Sequence, residues 1–278
     1  MTLNIGGTLL LAGVGNMGQA LLSGWLDHGL DPRAIVAQDP APPPRAKSLL
    51  ERNGIAVHPT ITALAGSPAV MVLAVKPQVM DEVLPPLARL TGKQTVVLSI
   101  AAGRTIAGIE RHFAKGTAII RSMPNTPAAI GRGITVAVAN GNVTAPQRAS
   151  CDTLLRAVGE VAWVEAEASL DAVTAVSGSG PAYVFYLAEC LADAGLRVGL
   201  EPKLARQLAR STIAGAGELL YRSPLGADVL RQNVTSKLRA ASSPASKPPI
   251  SASVRIRSPF KDASCGLRSR ATFKTSRF

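Results

Sequence analysis

The chain has 278 residues, which is enough for two ordinary domains with a large buried core. Its apolar fraction is 47% and its aromatic fraction only 4%, a mixture that favours Ala-rich helices packed around a Val-rich parallel sheet. The three cysteines, Cys151, Cys190 and Cys265, are far apart and accompany no histidine cluster, so we expect reduced thiols and no metal site. With no basic leader and no run of about 18 apolar residues, the chain is expected to be soluble and cytoplasmic, with no membrane partner.

The formal charge of +12 is unevenly distributed along the chain. The stretch from Lys237 to Phe278 holds ten Lys or Arg and one acid, Asp262, for a net charge of +9, so residues 1–236 carry only +3. A strongly basic chain would suggest nucleic acid or an anionic surface as a partner. Because the body is nearly neutral and the basic stretch lacks the aromatic interleaving that stacks on bases, we expect no specific nucleic-acid partner.

Along the first 140 residues, short β-branched runs alternate with stretches of helical periodicity, the pattern of βα units around a parallel sheet. Right-handed crossovers would wind these units into an α/β fold with a doubly wound sheet. The predicted strands are Thr8–Ala12, Ile35–Gln38, Val70–Val75, Thr95–Ile100, Ala118–Arg121 and Gly133–Val138. The predicted helices between them are Met17–His28, Val79–Leu90 and Thr105–His112.

After about residue 165 the strand signals stop, and a helical domain is predicted over residues 166–236. Its helices are poor in charge on more than one face, which suggests burial against a partner subunit. From Lys237 onward, nine serines, four prolines and scattered basic residues show no sustained period. We therefore expect no helix over residues 237–278 and predict a disordered tail. The predicted helices are Leu170–Val176, Pro181–Val198, Lys203–Tyr221 and Pro224–Gln232.

A glycine-rich motif follows the first predicted strand and begins the first predicted helix. In it, Gly13 would allow a tight turn, Gly15 would let backbone amides approach a pyrophosphate, and Gly18 would let helix and strand pack closely. The helix N-terminus would then face the phosphates. As a bare pattern the motif is weak, but between a strand and a helix it predicts dinucleotide binding in residues 1–165. Its residues are Gly13, Val14, Gly15, Asn16, Met17 and Gly18.

The end of the second predicted strand is where such folds distinguish NADH from NADPH. Asp39 lies there, and an acid in this place accepts hydrogen bonds from the ribose diol and repels a 2′-phosphate. Gln38 could be the contacting residue instead, and Arg45 could neutralise a phosphate. Asp39 could equally begin the turn before Pro40 without touching a ligand. The sequence leaves both the role of Asp39 and the choice of cofactor open.

Three further runs lie at predicted strand ends, where ligands of open α/β sheets gather. Small residues in Ala74-Val75-Lys76-Pro77 and in Ser99-Ile100-Ala101-Ala102-Gly103 would let a nicotinamide ribose lie against the backbone. Lys76 is as readily an ordinary solvated lysine. The run Arg121-Ser122-Met123-Pro124-Asn125-Thr126-Pro127 presents amide and hydroxyl donors on a backbone stiffened by two prolines, or it is a structural loop.

The most informative stretch of the second half runs from Ala175 to Tyr183. Ser177, Gly178, Ser179 and Gly180 precede a proline that begins a helix, and their hydroxyls and free amides would bind a small carboxylate. A serine hydrolase is the competing interpretation, but the spacing is not that of a nucleophile elbow, and no histidine suits the role of a base. A plain helix cap is the simplest alternative.

Taken together, these runs resemble those of the pyrroline-5-carboxylate reductases. The glycine motif, the two small-residue runs, Met123–Pro127 and Val176–Tyr183 occur in the order and spacing of that family, over about residues 8–236. The resemblance implies a Rossmann domain that binds NADPH or NADH and an all-α dimerisation domain, assembled as a homodimer or decamer. It implies hydride transfer to the C=N carbon of 1-pyrroline-5-carboxylate, which yields proline.

The resemblance also implies roles for individual residues. Ser177, Gly178, Ser179 and Gly180 would hold the substrate carboxylate. The implied catalytic hydroxyls are those of Ser177, Ser179, Thr235 and Ser236. The implied cofactor-binding residues are the glycine motif with Gln38, Asp39, Ala74, Val75, Lys76, Pro77, Ala101, Ala102, Asn125 and Asn233.

The sequence departs from the family's pattern at Lys237. A glycine- and threonine-rich segment followed by two helices is expected there, but Lys237-Leu238-Arg239-Ala240-Ala241-Ser242 stands instead. The abrupt change in charge and in Ser and Pro content resembles a change of reading frame in a GC-rich gene. We therefore expect a weak or inactive reductase that assembles poorly.

Two other functions are compatible with parts of the sequence. A 3-hydroxyacid dehydrogenase would share the fold, but a catalytic lysine in the first interdomain helix is not evident. A non-catalytic, dinucleotide-binding remnant with a basic tail is the alternative outside the enzymes.

Overall fold

The computed structural model describes residues 3–241, with side chains described as far as Thr235. It contains one sheet of eight strands in the order β3-β2-β1-β4-β5-β6-β7-β8. Neighbouring strands are parallel except β6 and β7, which pair antiparallel. The strands are β1 Leu9–Ala12, β2 Ile35–Gln38, β3 Val57–His58, β4 Val70–Leu73, β5 Val96–Ser99, β6 Ala118–Met123, β7 Gly133–Ala139 and β8 Gly159–Trp163.

Most of the observed helices lie where helices were predicted. Short 3-10 turns cover Pro32–Ala34, Pro77–Val79 and Thr126–Ile130, and a π turn covers Thr174–Gly178. The α-helices are α1 Asn16–Asp27, α2 Pro44–Arg52, α3 Met80–Ala88, α4 Ile106–Glu110, α5 Ala145–Arg156, α6 Ser169–Val173, α7 Gly180–Arg197, α8 Pro202–Arg222 and α9 Ala227–Ala241.

The sheet is doubly wound because the two faces of each central strand contribute to different cores. In β1, Leu9 and Leu11 pack on one face with Trp25 of α1, whereas Leu10 packs on the other with Leu84 of α3. All four residues of β1 are buried, as are those of β4 and β5. A strand that is buried on both faces has a continuous apolar sequence, and this is the pattern from which the strands were predicted. The α/β prediction is confirmed.

All six predicted strands are confirmed, but four elements were missed. Strand β3 has only two residues, and β8 alternates between half-buried and exposed positions, so neither has a strong apolar run. Helix α2 begins at Pro44 after a proline-rich stretch that favours a loop. Helix α5 carries a capping box in which Thr144 and Gln147 satisfy each other's backbone amides, a start signal that the sequence did contain.

One expectation about the second half is wrong, and one predicted helix differs in its detail. Helix α9 continues to Ala241, so a helix does follow Ser236 over residues 237–241. The predicted end at Gln232 was too early because Val234 and Leu238 prolong the helical period past it. The segment predicted as one helix, Leu170–Val176, is the short helix α6 followed by a π turn. The remainder of the tail prediction, residues 242–278, lies outside the described residues.

The chain divides into two compact units between Ile213 and Ala214, within α8. In the first unit, α7 exposes a cluster of large apolar side chains, of which Phe185 and Tyr186 are 62% and 67% exposed. In the second unit, α9 exposes Val234. Over residues 3–241, each helix is too short or too polar to span a lipid bilayer.

The pairing of β7 with β8 depends on Gly159. Its φ is +147°, and a Cβ built there would lie 2.0 Å from the carbonyl oxygen of Gly133. We expect Gly159→Ala to lower the free energy of unfolding by about 3 kcal/mol, because backbone strain and overpacking add. The control is Gly141→Ala, where a Cβ would enter open space. Chemical denaturation of both variants measures the effect, and equal stabilities would contradict this account of the β7–β8 contact.

Candidate active site

The predicted residues of the glycine-rich turn and of the two small-residue runs lie at the carboxyl ends of β1, β4 and β5. Strand β1 pairs with β2 on one side and with β4 on the other. The strand order therefore reverses between β1 and β4, and open α/β sheets bind their ligands at such a point. The backbone amide of Ala74 donates to the carbonyl of Ala12 over 2.7 Å, which continues the β1–β4 pairing past the strand ends.

The glycine-rich turn after β1 packs directly on the segment after β4. Gly13 has φ +93°, and a Cβ there would lie 2.6 Å from the carbonyl oxygen of Ala74. A Cβ on Gly18 would lie 2.2 Å from the carbonyl oxygen of Gly13. Both positions therefore require glycine. By contrast, a Cβ on Gly15 would meet open space, and no described side chain caps α1 there.

This geometry fits the pyrophosphate of a dinucleotide. The N-terminus of α1 presents backbone amides and the positive end of the helix dipole to the open space beside Gly15. Helix α1 has no acidic residue in its first turn that would repel an anion. Asn16 and Met17 begin the helix, so their amides point out of its open end.

Asp39 is bonded to the glycine-rich turn. Its Oδ2 accepts a hydrogen bond from the amide of Val14 over 2.7 Å, and its Oδ1 accepts one from the amide of Ala41 over 2.9 Å. Asp39 therefore does stabilise the turn that follows it, and its proposed contact with the cofactor ribose stays a prediction. Gln38 is buried with Oε1 unpaired among the described residues, while its carbonyl accepts from the amide of Gly13.

The segments after β4 and β5 complete this edge of the sheet. Lys76 is exposed at the start of the 3-10 turn Pro77–Val79, and Val75 is partly buried. Ala101 is buried and its amide donates to Ser99 Oγ over 3.3 Å, whereas Ala102 is exposed.

Asn125 connects the sheet domain to the start of the helical region. Its Nδ2 donates to the carbonyl of Ser177 over 3.2 Å, and its Oδ1 accepts from the amide of Ile134 over 3.0 Å. Close by, a Cβ on Gly178 would lie 2.7 Å from Cε of Met123. The two most family-specific runs of the sequence are therefore in contact.

Ser177 and Gly178 belong to the π turn, Ser179 is a bend and Gly180 begins α7, so this run is not an open loop before a helix. The amide of Ser179 donates to the carbonyl of Thr174 over 2.9 Å, so it is not free as expected. The hydroxyl of Ser177 donates to the carbonyl of Val173 over 3.1 Å and keeps its lone pairs as acceptors. Short π turns inside helices occur frequently at functional sites. The four residues are partly buried, within reach of a ligand.

The remaining predicted residues lie in the second unit. Asn233 and Thr235 are on α9, where Thr235 Oγ1 donates to the carbonyls of Arg231 and Gln232, each over 3.1 Å. The side chain of Ser236 lies outside the described residues.

An ion pair that sequence reasoning missed supports this region. Arg121 is 7% exposed, and its Nη1 lies 2.7 Å from Oε1 of Glu167, which also accepts from the amide of Ile106 over 2.8 Å. Strand β6, helix α4 and the segment before α6 are thereby joined. Breaking such a buried pair is strongly destabilising. No local sequence signal links residues 46 positions apart.

Other catalytic chemistry finds no support among the described residues. No group of three or more His, Cys, Asp or Glu in this part of the chain could hold a metal ion. Burial raises the pKa of the Cys151 thiol to about 12, which leaves it protonated and unreactive.

A Rossmann sheet with an open glycine-rich turn at its switch point defines a dinucleotide-binding protein, and the comparisons place it among the NAD(P)H-dependent oxidoreductases. Comparisons with known proteins support this class. Residues 8–103 match the family described as NADP oxidoreductase, coenzyme F420-dependent, and residues 167–238 match pyrroline-5-carboxylate reductase dimerisation. The pyrroline-5-carboxylate reductase of Pseudomonas aeruginosa is 39% identical over 224 residues, covering 81% of this chain and 82% of that protein.

Solved structures agree with the sequence comparisons. A pyrroline-5-carboxylate reductase from Coxiella burnetii is 31% identical with a TM-score of 0.76, over 84% of this chain and 89% of that one. The Plasmodium falciparum pyrroline carboxylate reductase, solved with NADP bound, is 26% identical with a TM-score of 0.70, over 86% and 90%. The chain belongs to the pyrroline-5-carboxylate reductase family.

The open space at Gly15 yields a direct test of dinucleotide binding. We expect Gly15→Asp to abolish NADH and NADPH binding, because its carboxylate would occupy the pyrophosphate position and repel it. The fold should survive, since a Cβ at this position meets nothing within 4 Å. The control is Gly66→Asp, where a side chain also enters open space away from this edge. Equal calorimetric affinities for wild type and Gly15→Asp would rule out this site.

Proposed function

We propose that this chain reduces 1-pyrroline-5-carboxylate to L-proline with NADH or NADPH. The observation that carries the proposal is the hydrogen bond from Asn125 to the carbonyl of Ser177. It holds the SGSGP run against the sheet domain that carries the open dinucleotide turn. A hydride donor and a small carboxylate could therefore bind to neighbouring segments of one compact unit.

The first half of the site would hold the cofactor. Residues Gly13–Gly18 would bind the pyrophosphate, and the small-residue segments Ala74–Pro77 and Ala101–Ala102 would lie against the nicotinamide ribose. When bound, the nicotinamide supplies a hydride to the substrate. The chain contributes position, because the close packing of Gly13 on Ala74 fixes both segments relative to each other.

The second half would hold the substrate. Ser177, Gly178, Ser179 and Gly180 would orient the carboxylate of the cyclic imine. A protonated imine is already electrophilic at carbon, so orientation and charge stabilisation suffice and a strong protein acid is not required. Asn233 and Thr235 match family positions near the cofactor and the substrate, and their roles, like that of Ser236, stay predictions from the resemblance.

Assembly as a homodimer follows from the family and from the surface of α7. Phe185, Tyr186 and Leu187 are exposed on one helix, and an apolar patch of this kind marks an interaction surface. A decamer and a cytoplasmic location are further parts of the proposal, the second supported by the free thiols of Cys151 and Cys190. Impaired activity and assembly caused by residues 237–278 also belong to the proposal, and most of that stretch lies outside the described residues.

Ser179 provides a test of the substrate half. We expect Ser179→Ala to raise KM for pyrroline-5-carboxylate about tenfold, because a hydrogen bond to a charged carboxylate is lost. The affinity for NADH should not change. The control is Ser150→Ala on α5. Steady-state kinetics and NADH titration of both variants separate the effects, and an unchanged KM in Ser179→Ala would remove this residue from the site.

Asp39 provides a test of cofactor choice. If Asp39 accepts hydrogen bonds from the ribose diol, its carboxylate would repel a 2′-phosphate, and NADH should then bind more tightly than NADPH. We expect Asp39→Ser to reduce the ratio of the NADPH dissociation constant to the NADH dissociation constant about tenfold, equivalent to about 1.4 kcal/mol. Titration with both cofactors measures the ratio. If both affinities fall equally and the ratio holds, Asp39 serves only to bind the amide of Val14.

A further inference from the structure

Arg104 joins the segments that follow two neighbouring strands. It comes directly after the run Ser99–Gly103 and reaches across to the segment after β4. Its Nε donates to the carbonyl oxygen of Pro77 over 2.9 Å, and its Nη2 donates to the same oxygen. Nη2 also lies 2.9 Å from Oδ2 of Asp81, in the first turn of α3. Only 24% of the Arg104 side chain is exposed.

The acceptor for Arg104 is itself held by other groups. Oδ1 of Asp81 accepts from Arg111 and lies 3.0 Å from Nε2 of His112. Arg111 first and then Arg104 hold the pKa of Asp81 at about 2. The carboxylate therefore stays charged at all pH values above about 4, and its contribution to stability is lost only as the pH falls toward 2. Asp81 therefore carries its charge, and can accept from Arg104, throughout the pH range of the assays.

The position of Pro77 explains why this contact matters. Pro77 ends the segment Ala74–Pro77 and begins the 3-10 turn that leads into α3. Proline has no amide hydrogen, so its carbonyl is the only backbone group of Pro77 that can form a hydrogen bond. Arg104 supplies two donors to that carbonyl from the segment after β5. The planar guanidinium fixes both distance and direction, which a single donor would not.

We propose that Arg104 is a positioning residue that sets the Ala74–Pro77 segment against the Ala101–Gly103 turn and so shapes the nicotinamide end of the cofactor site. The inference rests on the proposed function, in which these segments hold the nicotinamide ribose. We assign Arg104 a positioning role because its Nε and Nη2 donors are directed at Pro77 and Asp81. Its loss releases the Pro77 end of the first segment from the turn after β5, while the pairing of β4 with β5 and the glycine-rich turn stay unchanged.

The experiment compares a complete cofactor with a truncated one. Arg104→Gln is titrated with NADH, NADPH and ADP, since ADP reaches the glycine-rich turn but lacks the nicotinamide ribose. Misplacing the nicotinamide end weakens the binding of NADH and NADPH on the order of tenfold, while the ADP affinity stays within about twofold of the wild-type value. Arg104→Lys restores part of the loss because one donor can still reach Pro77.

Arg111→Gln is the matched control, because Arg111 shares Asp81 with Arg104 but directs its donors at Asp81 and His112 and not at Pro77. It leaves all three affinities unchanged, and thermal unfolding of both variants records any general loss of stability. Equal losses for ADP and NADH in Arg104→Gln, or no loss at all, overturn the positioning role. Failure of the wild type to bind NADH and NADPH instead overturns the proposed function, which keeps the two outcomes distinct.

Discussion

The contact between Gly13 and the backbone of Ala74 is the constraint on which the site depends. No side chain fits there, since a Cβ would lie 2.6 Å from a carbonyl oxygen. The turn after β1 and the segment after β4 are therefore packed backbone to backbone at the switch point. That packing leaves the N-terminus of α1 facing open space at Gly15, where backbone amides can meet an anion. A bulkier turn would separate the strand ends and close the space.

A chain of polar contacts extends this rigid edge toward the helical region. The buried pair of Arg121 and Glu167 joins β6 to the segment before α6, and Asn125 holds the carbonyl of Ser177. The cofactor half and the substrate half of the proposed site thus have a fixed relation within the first unit. A fixed position of the cofactor half relative to the substrate half matters for imine reduction, because positioning is the main contribution that the protein makes.

The sequence predicted the elements that carry strong periodicity and the motifs that carry specific chemistry. Strands such as β4 were predictable because burial on both faces leaves a continuous apolar run. The glycine motif was predictable because its spacing reflects backbone geometry. The π turn at Thr174–Gly178 was not, since nothing local distinguishes it from a loop before Pro181. The pairing of Arg121 with Glu167 is long-range and has no local signal.

The central claim is that hydride passes to the imine carbon of a substrate held beside the sheet edge. The most direct measurement uses NADH and NADPH deuterated at C4 with 1-pyrroline-5-carboxylate and the purified full chain, followed by mass and NMR analysis of the product. The account predicts L-proline with a single deuterium at C5, formed in amounts equal to the cofactor oxidised. Cofactor oxidation without deuterated proline, or proline that carries deuterium at a position other than C5, would contradict it.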